Sequence, residues 1–387
     1  MLGLASTVSS GSPVESLYSL NFDGSDDYLD LKSLAAGLSL ADNAAYSISL
    51  WFNTTDASGS AGVNILVGVN GTNNDNVLRL GAGLSGGGIF FNGTADGTKN
   101  TTINAGTNYS DGAWHHLMLS RPAGSGENTT FYVDGSSIGT SNHDILWSDT
   151  TLFFLGAEAD AGSLGDYFQG KIDEFSIWSS ALDSSAATSI YNRGSQHDLT
   201  SGAAIGTGPL VAYYRMGNGF FDDKANGVIH DQHAPGFGSN LIVWDGSTTG
   251  DWNETQSGNT TLSANSGNLR AAADASGAYG TSRSCTTVVG AVYRVDATIN
   301  VDNASGGAGN FRVSNNENLS SQIATLSTST GAFTSYFTAT ATTTHVGVTD
   351  TAADGTNYME IEKISVRKLN GLPGLTSGGA TFSSDVP

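Results

Sequence analysis

The stretch Phe168-Gln169-Gly170-Lys171-Ile172-Asp173-Glu174-Phe175-Ser176-Ile177-Trp178 reads as one β-strand. Its apolar residues sit where a strand with a buried face needs them. Successive side chains on a strand point to opposite faces. One of Asp173 and Glu174 should therefore face away from the core, with Asp173 placed to hydrogen-bond a neighbouring turn. About 145 residues upstream stands Leu20-Asn21-Phe22-Asp23-Gly24-Ser25-Asp26-Asp27-Tyr28-Leu29, a second strand-and-turn stretch.

Between these two lie many short strand patterns. Tyr46 to Phe52 alternates, and Asn64–Val69, Val77–Leu80 and Ile89–Asn92 follow, parted by Gly and Asn clusters. His115–Ser120 and Thr129–Val133 form an expected hairpin around Ala123-Gly124-Ser125-Gly126, and Asp134-Gly135 marks the next reversal. Leu152–Leu155 comes before the Phe168 strand. Strands with turns at such spacing mean a sandwich or barrel. Ala181 to Asn192 is the one good helix candidate, capped by Asp183 or Ser184 and stopped by Gly194.

A chain of 387 residues is too long for one ordinary β-domain. It holds 51 glycines and only 13% charged residues, a composition for strands and turns rather than long helices. The formal net charge of −21 repels a phosphate backbone, so nucleic acid is not an expected partner. One cysteine, Cys285, excludes an internal disulfide and reads as a small buried apolar residue. No stretch has the length of a membrane span, and the start, Met1-Leu2-Gly3-Leu4, lacks a leader's basic region.

In order and spacing, the Leu20 and Phe168 stretches, with Asp111-Gly112-Ala113-Trp114-His115-His116 and Phe131-Tyr132-Val133-Asp134-Gly135 between them, resemble the laminin-G-like, concanavalin A-type jelly roll. Residues 240–370 end in Tyr358-Met359-Glu360-Ile361-Glu362-Lys363-Ile364-Ser365-Val366-Arg367. They are similar to carbohydrate-binding modules of the galactose-binding jelly-roll type, with Glu362 in place of the usual aspartate. The expected organisation is all-β: an arm at 1–15, a laminin-G-like jelly roll at 16–200, a junction at 201–239, a carbohydrate-module-like jelly roll at 240–370 and a Gly/Ser-rich tail at 371–387. The junction strand around Leu210–Met216 either packs back on the first domain or bridges the two.

Leu155-Gly156-Ala157-Glu158-Ala159-Asp160 is similar to a calcium-binding segment of pentraxins, relatives of this fold. That resemblance implies Glu158 and Asp160 as calcium ligands, completed by Asn74, Asp75 and Asn76 from an earlier loop. Ca²⁺ takes oxygens from such side chains, but Ala159 stands where pentraxins have an amide. Ordinary solvated loop acids are the other reading. Asp23, Asp26 and Asp27 form a second acidic cluster, read first as turn chemistry. Relatives that hydrolyse glucans carry glutamate-x-aspartate-x-x-glutamate; here Ser163 replaces the third acid, so no catalytic residue is assigned. His115 and His116, adjacent on a strand, cannot share one metal, and His230 and His233 are too few to make a zinc site. Trp252, Tyr279 and Trp244 are candidates for a sugar-stacking platform, with core packing as the alternative.

Paired jelly rolls of these two types, in a chain rich in Gly, Thr, Ser and Asn, are similar to bacteriophage virion proteins. The resemblance implies a non-enzymatic capsid decoration, fibre or tail appendage, located in the virion and partnered by other virion proteins, with host surface glycans as ligands. A homo-oligomer, trimeric by particle symmetry, is expected. The alternatives are a lectin-like protein of the bacterial surface or medium and a glycoside hydrolase.

Overall fold

The computed structural model describes residues 16–57, 64–71, 76–83, 87–93, 101–103, 107–160, 163–191, 199–200, 209–233, 237–244, 249–255, 258–302, 309–327, 329–354 and 356–387. The chain forms two units. One comprises residues 1–236 together with 371–387, and the other residues 237–370. The second unit is thus inserted into the first, and residues 371–387 are no tail. Gly374–Ser377 lies between Val228–Ile229 and Tyr28–Asp30 in one sheet, and Thr381–Ser383 pairs with Ser19–Asp23 in the other. These strands are three or four residues long and rich in Gly, Ser and Thr, which hides them from a reading based on apolar alternation.

The first unit is built from two antiparallel sheets. One runs, neighbour to neighbour, through Ser136–Ser141, Thr129–Val133, Trp114–Arg121, Tyr46–Asn53, Gln169–Trp178, Ser19–Asp23 and Thr381–Ser383. Leu210–Tyr214 also pairs with Gln169–Trp178, so the junction strand packs back on this unit. The other sheet runs Val228–Ile229, Gly374–Ser377, Tyr28–Asp30, Thr150–Leu155, Asn64–Gly71, Asn76–Gly83, Gly88–Gly93 and Thr101–Ile103. A single apolar core includes Phe22, Phe52, Leu66, Phe91, Leu117, Phe153, Phe175 and Tyr214. The helix Ser184–Tyr191 packs on a smaller cluster with Met118, Tyr132, Trp178 and Tyr213. Asp183 caps it, accepting from Ala186 N at 2.9 Å; Gly194 lies outside the described residues. Asp134 (φ 50°) and Gly135 (φ 75°) both take left-handed backbone, as the tight hairpin after Val133 requires.

The second unit is also a pair of antiparallel sheets. One contains Thr260–Asn265, Asn268–Ala273, Tyr358–Leu369, Val292–Asp302 and Gly331–Thr338 in that order, with Phe237–Val243 also on Tyr358–Leu369. The other contains Asn253–Glu254, Ser276–Thr286, Thr343–Asp354, Asn310–Ser314 and Gln322–Ser327. Val295, Ala297, Ile299, Phe311, Val346, Ile361 and Val366 join its core. A Cβ on Gly347 would lie 1.9 Å from the Thr281 carbonyl oxygen, so only glycine fits where these strands approach. Cys285 is buried in this core, and burial pushes its thiol up to about 11.

Candidate functional site

The paired acids of Gln169–Trp178 are both buried, Asp173 fully and Glu174 to 4% exposure. Glu174 nonetheless faces away from the main core, since its partner Tyr213 belongs to the smaller cluster. The register against Tyr46–Asn53 slips between Asp173 and Ser176, and Glu174 takes φ 51°. Such a bulge re-aims side chains that simple alternation would separate. Asp173 accepts from Ser16 Oγ at 3.0 Å and from the Glu174 amide at 2.8 Å. Glu174 accepts from the Tyr213 hydroxyl and from Arg215 Nε at 3.2 Å. Burial, and then the Glu174 charge, holds the Asp173 carboxyl well above the usual carboxylate range. The pair locks the first strand and the junction strand onto the sheet.

The two histidines part as expected. His115 Nδ1 meets Asp134 at 2.8 Å, while buried His116 meets Ser49 Oγ at 2.7 Å. Burial pushes His116 down to about 3. In the junction, Asp222 accepts from the amides of Gly217, Gly219 and His230, and burial pushes it up to about 6. Asp231 accepts from the amides of Tyr213 and His233.

The segment that resembles the pentraxin calcium loop forms a small hairpin, Glu158–Asp160 with Ser163–Gly165. Glu158 is buried and accepts from Arg79 Nη1 at 3.3 Å. Asn70 clamps the Ala159 backbone, its Oδ1 accepting from the amide at 3.1 Å and its amide donating to the carbonyl. Asn74 and Asp75 lie outside the described residues, as do the side chains of Asn76 and Asp160. Glu158, already paired with a guanidinium, does not fit a calcium ligand without giving that partner up. Among the described residues, Asp23, Asp26 and Asp27 bring carboxylate oxygens within 4.8 Å of one another. There Asp23 accepts from Ser25 N at 2.7 Å and Asp27 from Asp23 N at 2.9 Å, which is the turn chemistry read from the sequence.

The sugar-stacking platform requires correction. Trp244, Trp252 and Tyr279 are 6%, 5% and 0% exposed and belong to the core of the second unit. A platform must present a ring face to solvent, and these rings fill the space between two sheets instead. Trp244 Nε1 donates to the Gly267 carbonyl at 2.8 Å, which fixes its ring beneath the surface.

Above Trp244 lies a feature missed in the sequence. The outward residues of four strands align in rows. Val243 stands opposite Ser365, Ser365 opposite Asp296, and Asp296 opposite Thr334. In the next row Lys363 stands opposite Thr298, and Thr298 opposite Ala332. Together they line an open groove of about 610 Å³. Asp296 is gripped by Arg294 Nε at 2.8 Å, Thr334 Oγ1 at 2.7 Å and Arg367 Nη2 at 3.1 Å. Burial alone would raise its pKa, but the bonds from Arg294, Thr334 and Arg367 win and hold it below the usual range. Alternation in Tyr293–Ile299 marks Arg294, Asp296 and Thr298 as outward. Nothing local in the sequence shows that they meet Thr334, Ser365 and Arg367, because that depends on register across strands far apart in the chain.

Residues 23–187 match the Laminin_G_3 family, described as the concanavalin A-like lectin/glucanases superfamily. That stretch, within the first unit, is thus a concanavalin A-like domain. No curated protein matches the chain. Among solved structures, the chain is similar to the heptameric SAP-like pentraxin of Limulus polyphemus, at 16% identity and TM-score 0.37 over 46% of this chain and 83% of that one. It is similar to a proposed carbohydrate binding protein of Bacteroides ovatus, at 18% identity and TM-score 0.38, covering 57% of this chain and 56% of that one. It is also similar to the CBM40 of Ruminococcus gnavus IT-sialidase, at 16% identity and TM-score 0.35 over 45% of this chain and 96% of that one. Among the described residues, no helix is long and apolar enough to cross a membrane.

Proposed function

We propose that the chain is a non-enzymatic glycan-recognition protein serving adhesion on a bacteriophage particle, as a capsid decoration, fibre or tail appendage. The observation that carries the glycan reading is the lectin-type family match over residues 23–187, joined in the same chain to a second sandwich with an open groove. Catalysis stays outside the proposal. Glu158 is held by Arg79, and Ser163 faces Asp160 in the hairpin where a glucanase-type pattern needs a third acid. The particle reading is supported by the pairing of two sandwiches in a chain rich in Gly, Thr, Ser and Asn. Homo-oligomerisation and contacts with other virion proteins belong to the same proposal.

A lectin of the bacterial surface would use the same groove. Peptide mass spectrometry on gradient-purified particles separates the two. Recovery at a copy number matching capsid or tail symmetry supports the particle role. Absence from particles, with the protein on cells or in the medium, overturns it and leaves the lectin reading.

A further inference from the structure

We infer that the groove over Trp244 in the second unit is a subsite for a neutral oligosaccharide, laid across the strands of the sheet. The inference rests on the glycan reading above and names its place and ligand class.

Length comes first. The groove crosses four neighbouring strands, Phe237–Val243, Tyr358–Leu369, Val292–Asp302 and Gly331–Thr338. Three gaps between strands span roughly 14 Å, which suits a short chain of sugars better than one ring. A second cavity, of about 650 Å³, shares Trp244 and Lys363 with the first and carries the path on to Asn268 and Asn300. Each volume falls within the range of small-molecule sites.

Lining chemistry comes second. A sugar offers hydroxyls that both donate and accept, and C–H faces that seek apolar surface. Thr298 and Ser365 supply hydroxyls, Asn300 supplies an amide, and Lys363 supplies an ammonium that is 75% exposed. Val243, 43% exposed, and Ala332 supply apolar contact along the same path.

The alternatives fit less well. An anionic sugar or phosphate wants free guanidinium donors. Arg294 spends Nε and Nη2 on Asp296, and Arg367 spends Nη2 on it. Both guanidiniums also lie over the Phe237 ring, at 5.4 and 4.6 Å from its centroid. Lys363, the third cation along the path, has Glu362 at 3.9 Å. A peptide added as a strand needs a sheet edge, and this groove runs across the strands.

The test uses the full chain on an array of neutral and sialylated oligosaccharides, followed by titration calorimetry with the best neutral tetrasaccharide. Thr298→Trp fills the groove from an outward strand position, and Lys363→Ala removes its exposed donor. Melting curves establish that both variants fold. The expected result is binding to neutral glycans, at least tenfold weaker in Thr298→Trp and several-fold weaker in Lys363→Ala. Neutral binding that survives both substitutions overturns the groove as the site while the glycan reading stands. Binding confined to sialylated glycans and lost in Thr298→Trp overturns the ligand class. If no glycan binds at all, both the inference and the reading beneath it fall.

Discussion

Truncation after Asn370 should unfold the first unit and spare the second. The cut removes two paired positions with Val228–Ile229, three with Tyr28–Asp30 and three with Ser19–Asp23. Net hydrogen-bond contributions of about 1 kcal/mol each are largely offset, because the residues removed no longer need ordering at about 1–2 kcal/mol each. What remains is the damage to what stays behind. The hydroxyls of Tyr214 and Ser33 lose their acceptors, the carbonyls of Leu372 and Pro373. Each orphaned buried group costs about 1–3 kcal/mol. Leu29 and Leu31, which would crowd a Cβ on Gly374, lose their cover, and each newly wetted leucine adds up to about 2 kcal/mol. The total, on the order of 4–10 kcal/mol, rivals the whole stability of an ordinary domain. Scanning calorimetry is the assay. The parent should show two transitions, and the truncated chain should retain only that of residues 237–370. If the first unit melts within about 2 °C of its parent value, residues 371–387 are a dispensable tail and the assignment of their strands is wrong.

Four further predictions follow from the same packing. Gly347→Ala should lower only the second unit's transition, by about 1–3 kcal/mol or more, since its methyl meets the Thr281 carbonyl; an unchanged melt refutes the close approach. Arg79→Ala should destabilise the first unit by about 3–5 kcal/mol, because Glu158 keeps its buried charge without its cation, and Arg79→Ala/Glu158→Gln should recover part of that loss. Asp222 has a folded pKa of about 6 against an ordinary 3.8, so the folded state binds the proton more tightly. Its contribution is fully present below pH 3.8 and lost as pH rises through 6, so Asp222→Asn should gain on its parent by about 3 kcal/mol between pH 3 and 8; parallel urea-melt profiles for the two proteins would exclude the shift. Calcium, if held by Asp23, Asp26 and Asp27, should raise the first unit's melting temperature over an EDTA control, and Asp26→Ala should abolish the difference; identical curves remove calcium from the account.

The parts of the fold that were legible are those where period and turn chemistry act locally. The strand over Tyr46–Phe52, the Asp134-Gly135 reversal and the Asp183 cap stand in the structure, although that strand, expected to be half-buried, is buried on both faces. The parts that were not legible depend on partners distant in sequence. Short polar strands such as Thr381–Ser383 owe their state to the edge they meet, and Asp173 and Glu174 owe their joint burial to a bulge. The same division holds for sites. Aromatic residues flanked by polar ones, such as Trp252, suggested a platform, but burial is decided by the opposing sheet. The Asp296 row emerges only once three strand registers are known.

The inserted unit has a mechanical consequence. Ser19 and Ser383 are opposite each other in the sheet, so tension applied between the outer ends of the described chain, once past the bonds of Ser16 to Asp173 and of Asp385 to Lys171, opens the first unit rung by rung from there. It would peel Thr381–Ser383 and then Gly374–Ser377 before any load reached Phe237–Asn370. The second unit hangs outside the line of force until the first has begun to open. A groove on a surface so shielded would keep its shape while its carrier was being pulled.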